Sequence, residues 1–256
     1  MKKTLIILLI TLFCSPGFTA AQEKAKDPNQ LFYKANAYYE SGDYDKAVEN
    51  YVAILDSGIE SGNVYYNIGN GFLKLGKTGY AILSYEKANK FIPGDGDLKS
   101  NLEYARSLTD SPPSDGSGRN LIVRIIRRPF RDLNLNAVAI CTFALYLAFL
   151  VALAISIGSR KLAIKLRFIT PVIVIVFFFA LASFALRYYE EKILSHGIVV
   201  QKEAECRYEP IDKSTVFYKL AEGNKVVVLK TRNGWRQVRR ADGKVSWVKK
   251  EAVELI

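Results

Sequence analysis

The chain has 256 residues, half of them hydrophobic, with 36 Lys and Arg against 25 Asp and Glu and a net charge of +11. No helix-turn-helix, zinc-finger or RNA-binding motif accompanies that basicity, so nucleic acid is not the expected partner. Cys14, Cys141 and Cys206 form no CxxC pair, and His196, the single histidine, has no recognisable nucleophile beside it. With no glycine-rich phosphate loop and no HExxH, the reading is of a protein without catalytic residues, metal or cofactor.

At the N-terminus, Lys2 and Lys3 precede a ten-residue apolar run over 4–13, and Thr19, Ala20 and Ala21 follow as small residues. A charged, then apolar, then small-residue order describes a secretory signal peptide over 1–21. Cys14 is preceded by bulky Phe13, which argues against a lipidation site.

From 28 to 110 the sequence repeats at a spacing of 34. Ala35 and Gly69, Gly42 and Gly76, Ala47 and Ala81, and Tyr51 and Tyr85 are equivalent pairs. Small residues where helices touch and aromatics where they pack, at that period, are a tetratricopeptide signature. The segment resembles that family, with departures at Ile54 and Ile59. The resemblance implies two helical hairpins, about 28–61 and 62–95, and a capping helix over about 97–109 carrying Leu98, Leu102 and Ala105. It also implies a partner-binding groove of Asn29, Phe32, Tyr33, Asn36, Tyr39, Asn63, Tyr66, Asn67, Asn70 and Leu73. Tyr65 and Phe72 read as packing; Tyr39 and Tyr66 read equally as packing or groove. The basic residues of the family's carboxylate clamp are missing, since Phe32, Asp97 and Asn101 stand in their places. Asp43 and Asp45 read as helix caps.

Residues 111–120, rich in Pro, Ser and Gly, have almost nothing to bury and read as a linker. A basic juxtamembrane segment follows over 121–136. Two uncharged runs, 137–157 and 168–186, are each about 20 residues, enough at about 1.5 Å per residue to cross a bilayer as helices. A loop over 158–167 with Arg160, Lys161, Lys165 and Arg167 joins them, so the flanking segments fall on one side. The positive-inside rule is nearly neutral here, because Arg119, Arg124, Arg127, Arg128 and Arg131 lie before the first run. The signal peptide decides the orientation: the loop is cytoplasmic, and both soluble parts are extracytoplasmic (periplasmic) on the inner membrane.

After the anchor, short apolar runs and the turn pairs Asn233-Gly234 and Asp242-Gly243 predict about five strands. The order of Pro210, Phe217, Leu220, Glu222-Gly223, Gly234-Trp235, Asp242-Gly243 and Trp247-Val248 resembles bacterial SH3-like domains over 197–256, although Ser246 replaces a usual glycine. Members bind cell-wall peptides or proteins, which makes Tyr208 and Trp247 the candidate surface residues. Trp235 and Cys206 read as core.

The expected architecture is multi-domain: an all-α repeat solenoid, a transmembrane hairpin and a small all-β barrel. That order resembles the tetratricopeptide proteins of the bacterial aerotolerance operon (BatE type). The resemblance implies a membrane-anchored scaffold whose partners are membrane proteins, some with von Willebrand A-type domains, with membrane lipid around its anchor. Peptidoglycan is the alternative partner, through the SH3-like part.

Overall fold

The computed structural model describes residues 27–109 and 121–256. The signal peptide and the 111–120 linker fall outside those residues.

Five helices come first: α1 (Pro28–Glu40), α2 (Tyr44–Asp56), α3 (Gly62–Lys74), α4 (Thr78–Phe91) and α5 (Gly96–Ser107). Their starts are written in the sequence. The carboxylates of Asp27, Asp43 and Asp95 accept from backbone N–H groups in the first turns of α1, α2 and α5, which satisfies donors a helix leaves open. Asp45 does not cap; it pairs with Lys77 at 3.4 Å. The 34-residue period reappears as geometry. Gly42 and Gly76 both turn the chain at positive φ, 82° and 70°. The Tyr51 hydroxyl donates to Asn36 Oδ1 at 2.5 Å, and the Tyr85 hydroxyl to Asn70 Oδ1 at 2.7 Å. Ala35, Ala47 and Ala81 are fully buried where helices meet. A side chain at Gly69 would run into the Tyr85 ring.

Next come α6 (Leu121–Arg127), a 3-10 turn (Arg128–Phe130) that includes Pro129, α7 (Leu135–Gly158), α8 (Arg160–Leu166) and α9 (Ile169–Tyr188). The connection expected as a loop over 158–167 is therefore mostly helix, because nothing from Arg160 to Leu166 breaks one. The spans Leu135–Gly158 and Ile169–Ile193, with mean hydropathies of 2.7 and 2.6, are long and apolar enough to cross a membrane. They pack through Val138, Thr142, Ala152, Ala180 and Ser183, which are buried while most of both helices is exposed. Thr142 satisfies its hydroxyl on Val138 O at 2.8 Å.

A π-turn (Tyr189–Ile193) leads into seven strands: β1 (Ser195–Val199), β2 (Glu203–Arg207), β3 (Val216–Ala221), β4 (Lys225–Arg232), β5 (Trp235–Arg239), β6 (Val245–Lys249) and β7 (Val253–Leu255). They form one antiparallel sheet in the order β3-β2-β6-β5-β4-β1-β7. Five strands were expected; β2 and β3 are the additions. β2 is hidden from pattern reading because Glu203, Glu205 and Arg207 interrupt its two apolar residues, Ala204 and Cys206. Asn233 and Gly234, at φ 47° and 78°, make the β4–β5 turn. Such a turn favours these two residue types because both tolerate positive φ.

The helices and the sheet share a core, which the sequence reading does not anticipate. In a strand, neighbouring side chains face opposite ways. Val199 joins the sheet's interior with Val226, Val238 and Val253, whereas Ile198 and Val200 join Ile82, Tyr85, Leu98 and Leu102 of the helices. The start of α4 lies so close to β1 that a Cβ on Gly79 would sit 2.8 Å from Val200 Cα and 2.9 Å from Val199 O. Glu222 accepts from Gly79 N at 2.6 Å, a carboxylate at a helix N-terminus.

The helices also rest on the hairpin's entry. Lys99 pairs with Asp132 at 2.7 Å, and Asn134 donates to Phe91 O at 3.2 Å while capping α7. Arg187, at the end of α9, donates to Phe130, Arg131 and Leu133 carbonyls.

Because backbone atoms crowd Gly79, Gly79→Val should destabilise the folded chain by about 1–3 kcal/mol, the usual range for overpacking. Unfolding of the detergent-solubilised protein, followed by tryptophan fluorescence, measures it; the matching change at exposed Gly96, where a Cβ meets open space, should cost less.

Candidate functional site

Two concavities and one buried charge cluster stand out among the described residues. The first concavity, about 140 Å³, lies where α1, α2 and α3 converge and is lined by Asn36, Tyr39, Glu40, Tyr51, Asn67 and Asn70. Four of these were predicted groove residues; Glu40 and Tyr51 were not. Tyr39 and Tyr66 are half-buried. Tyr39 meets Tyr44 edge-on at 5.2 Å, and the Tyr66 hydroxyl accepts from Asn101 at 3.0 Å. Asn101 also donates to Asn70 Oδ1 at 2.9 Å. Tyr33 is exposed at 74%, while Phe32 packs against Tyr51 and Leu73 against the shared core. Asn29 and Asn63 are exposed near the helix starts and do not line the cavity. Burial pushes the Tyr51 hydroxyl up to about 12, and burial raises Tyr85 further. Both phenols therefore stay neutral donors at physiological pH.

The second concavity, about 310 Å³, is on the sheet and is lined by Glu203, Glu205, Arg207, Lys219, Lys249 and Trp235, with Val248 and Ala252 below. Its charges alternate in sign: Lys219 pairs with Glu203 at 2.6 Å and Arg207 with Glu205 at 2.5 Å. Of the two surface residues expected here, Tyr208 is 57% exposed and stacks on Phe217 at 4.5 Å. Trp247 requires a correction. At 8% exposed it belongs to the interior, because it sits on β6 between β2 and β5, with the Lys230 ammonium 5.3 Å above its ring. Trp235, read as core, is 7% exposed, yet one edge of it reaches this cleft. Cys206 is fully buried, and burial raises its thiol pKa, as fits a packing role.

Between the helices and the sheet lies a charge cluster that sequence reasoning missed. Glu86, 6% exposed on α4, pairs with Arg106 of α5 and with Lys225 of β4, the latter at 2.7 Å. Burial favours the neutral acid, but Lys225 and Arg106 outweigh it and the Glu86 pKa ends lowered. His196, on β1, is held at about 4 by burial and by Lys225, against an opposite pull from Glu86. Its Nδ1 is buried with no partner among the described residues. Lys90 donates to Ile256 O at 3.1 Å across the same seam. Among the described residues no three His, Cys, Asp or Glu side chains gather as metal ligands.

A family model described as "Bacterial SH3 domain" matches residues 200–254, the stretch from just before β2 through β7. Among solved structures the chain is similar to NlpC2 and NlpC1 from Trichomonas vaginalis. The identities are 19% and 21%, over 25% of this chain and 25% and 24% of theirs, with TM-scores of 0.23 in both cases. The chain thus spans about a quarter of the length of those proteins. No curated protein matches it.

The histidine sets a pH dependence. Its folded value of about 4 lies below its ordinary 6.5, so the unfolded chain takes up the proton first. Stability should then fall as pH drops from 6.5 toward 4 and lose nothing more from this group below that. Glu86, with a lowered pKa, contributes loss only as pH falls below its ordinary 4.5. Unfolding measured between about pH 7.5 and 5 should show His196→Gln flattening the fall. Glu86→Gln should instead lower stability at neutral pH, by about 3 kcal/mol, the scale for removing one partner of a buried ion pair.

Proposed function

We propose that the chain is a membrane-anchored binding protein of the bacterial cell envelope. In this reading α1–α5 are two tetratricopeptide repeats with a capping helix, and α7 and α9 are a transmembrane hairpin. The helical groove captures an extended segment of a protein partner on the extracytoplasmic face. The observation that carries the reading is the shared core: Ile198 and Val200 of the sheet are buried among Ile82, Tyr85 and Leu98 of the repeats. A groove and an SH3-like surface held in one body can engage a single target at two points without a flexible tether, which raises the effective concentration of the second contact. It also fits a hairpin that brings the chain back to the side it left. The resemblance to aerotolerance-operon proteins would make the partners membrane proteins with von Willebrand A-type domains.

A second reading rests on the sheet's cleft. Its alternating carboxylates and ammonium groups above the Trp235 edge complement a short peptide bearing both amines and carboxylates, the chemistry of a cell-wall stem peptide. Under it the SH3-like part is the receptor for peptidoglycan.

Crosslinking in native membranes separates the two. With the groove variant Tyr39→Ala plus Asn67→Ala, the protein partners recovered with the parent chain should fall at least about tenfold, the loss expected when interface anchors are truncated, while thermal unfolding shows the variant still folded. Unchanged recovery contradicts the groove reading. Sedimentation of the solubilised full chain with purified peptidoglycan, abolished by Lys219→Glu, would favour the second.

A further inference from the structure

The groove's own chemistry narrows what it takes. Its lining is uncharged except for one carboxylate, Glu40 at the end of α1. Glu40 is exposed and lines the cavity, so its charge is open both to solvent and to the cavity's contents. Tyr39, half-buried at the rim, supplies a ring surface, which attracts cations, whereas Tyr51 is 2% exposed and borders the cavity without an open ring face. The remaining lining groups are amides. Asn36 Oδ1 and Asn70 Oδ1 are already taken by tyrosine hydroxyls, which leaves the amide NH2 groups to donate to a ligand's carbonyls.

An anionic ligand would meet Glu40 and no cation in this lining. An aliphatic one would strip water from the amides without replacing their hydrogen bonds. A peptide backbone bearing a positive side chain satisfies the carboxylate, the Tyr39 ring and the amides together. The wider field agrees, because residues 22–118 hold 10 Lys and Arg against 14 Asp and Glu in a chain that is otherwise basic. A cavity of about 140 Å³ suits the end of one long side chain.

We propose that this groove anchors an arginine or lysine side chain of an extended partner segment, with Glu40 as its counter-ion and Tyr39 as the ring beside it. The inference rests on the groove reading above and adds the chemical class of the ligand.

The test uses the detergent-solubilised full chain on an immobilised library of random decapeptides, each carrying arginine, lysine or the neutral isostere citrulline at one fixed position. Arginine and lysine peptides should be retained roughly tenfold over their citrulline counterparts. That preference should vanish for Glu40→Gln, a change at an exposed position that should leave thermal unfolding unaltered. Equal retention of arginine and citrulline peptides, or a preference that survives Glu40→Gln, overturns the proposal. If peptides are retained without a cation preference and Asn67→Ala weakens their retention, the groove stands and its cation specificity falls. If nothing is retained, or Asn67→Ala changes nothing, both fall.

Discussion

One strand belongs to two interiors. β1 turns Val199 toward the sheet's core and Ile198 toward the helices, with Val200, the residue just after it, on the helical side too, and this division is what joins the two halves of the molecule. Strands covered on both faces carry continuous apolar runs, and Ile-Val-Val is such a run in miniature. Burying both faces excludes water from the seam. The excluded water is why Glu86 needs both Arg106 and Lys225, and why His196 is kept neutral. Whether such an ion cluster adds net stability over an apolar seam is not its main physical consequence. Charges buried in opposition fix one register between α4 and the sheet, since any slip would leave a carboxylate in a dry place without its partners.

Much of this was legible in the sequence, and what was not has identifiable causes. The repeat period, the glycine turns and the two apolar spans follow from local rules and recur in the structure, whereas of the two aspartates read as caps Asp43 caps and Asp45 does not. β2 and β3 lie outside the five apolar runs counted as strands; in β2 Glu203, Glu205 and Arg207 alternate with Ala204 and Cys206, and only the SH3-like resemblance pointed to a strand there. Trp247 was named for the surface on the SH3-like resemblance alone, and its burial becomes visible only once the strand order places neighbours on both sides. The seam between helices and sheet left only a mixed signal. Two positions 34 apart lose a charge, Asp45 to Gly79 and Glu49 to Leu83, and both second-repeat residues are buried, while Val52 to Glu86 and Ala53 to Lys87 gain one. Glu86, where the first repeat has Val52, had no local signal, because its partners come from 20 and 139 residues away.

The groove and the cleft are opposite in character. The groove is amide- and phenol-lined with one carboxylate; the cleft is a chequerboard of charge over an aromatic edge. On the proposed reading they are two contacts displayed by one rigid head, and the short, well-bonded junctions at Asp132, Asn134 and Arg187 tie that head to its anchor. The match of residues 200–254 to bacterial SH3 domains covers the sheet from β2 onward and begins after β1.

Hydrogen exchange of backbone amides in lipid nanodiscs tests the joint most directly, because a cooperative unit opens as one. The account predicts that amides of α4 around Ile82–Ala88 and of β1 at 198–200 exchange with the same opening free energy, and that both are lowered together when Glu86 is replaced by Gln. Protection of α4 that persists while β1 exchanges freely, or the reverse, would contradict it.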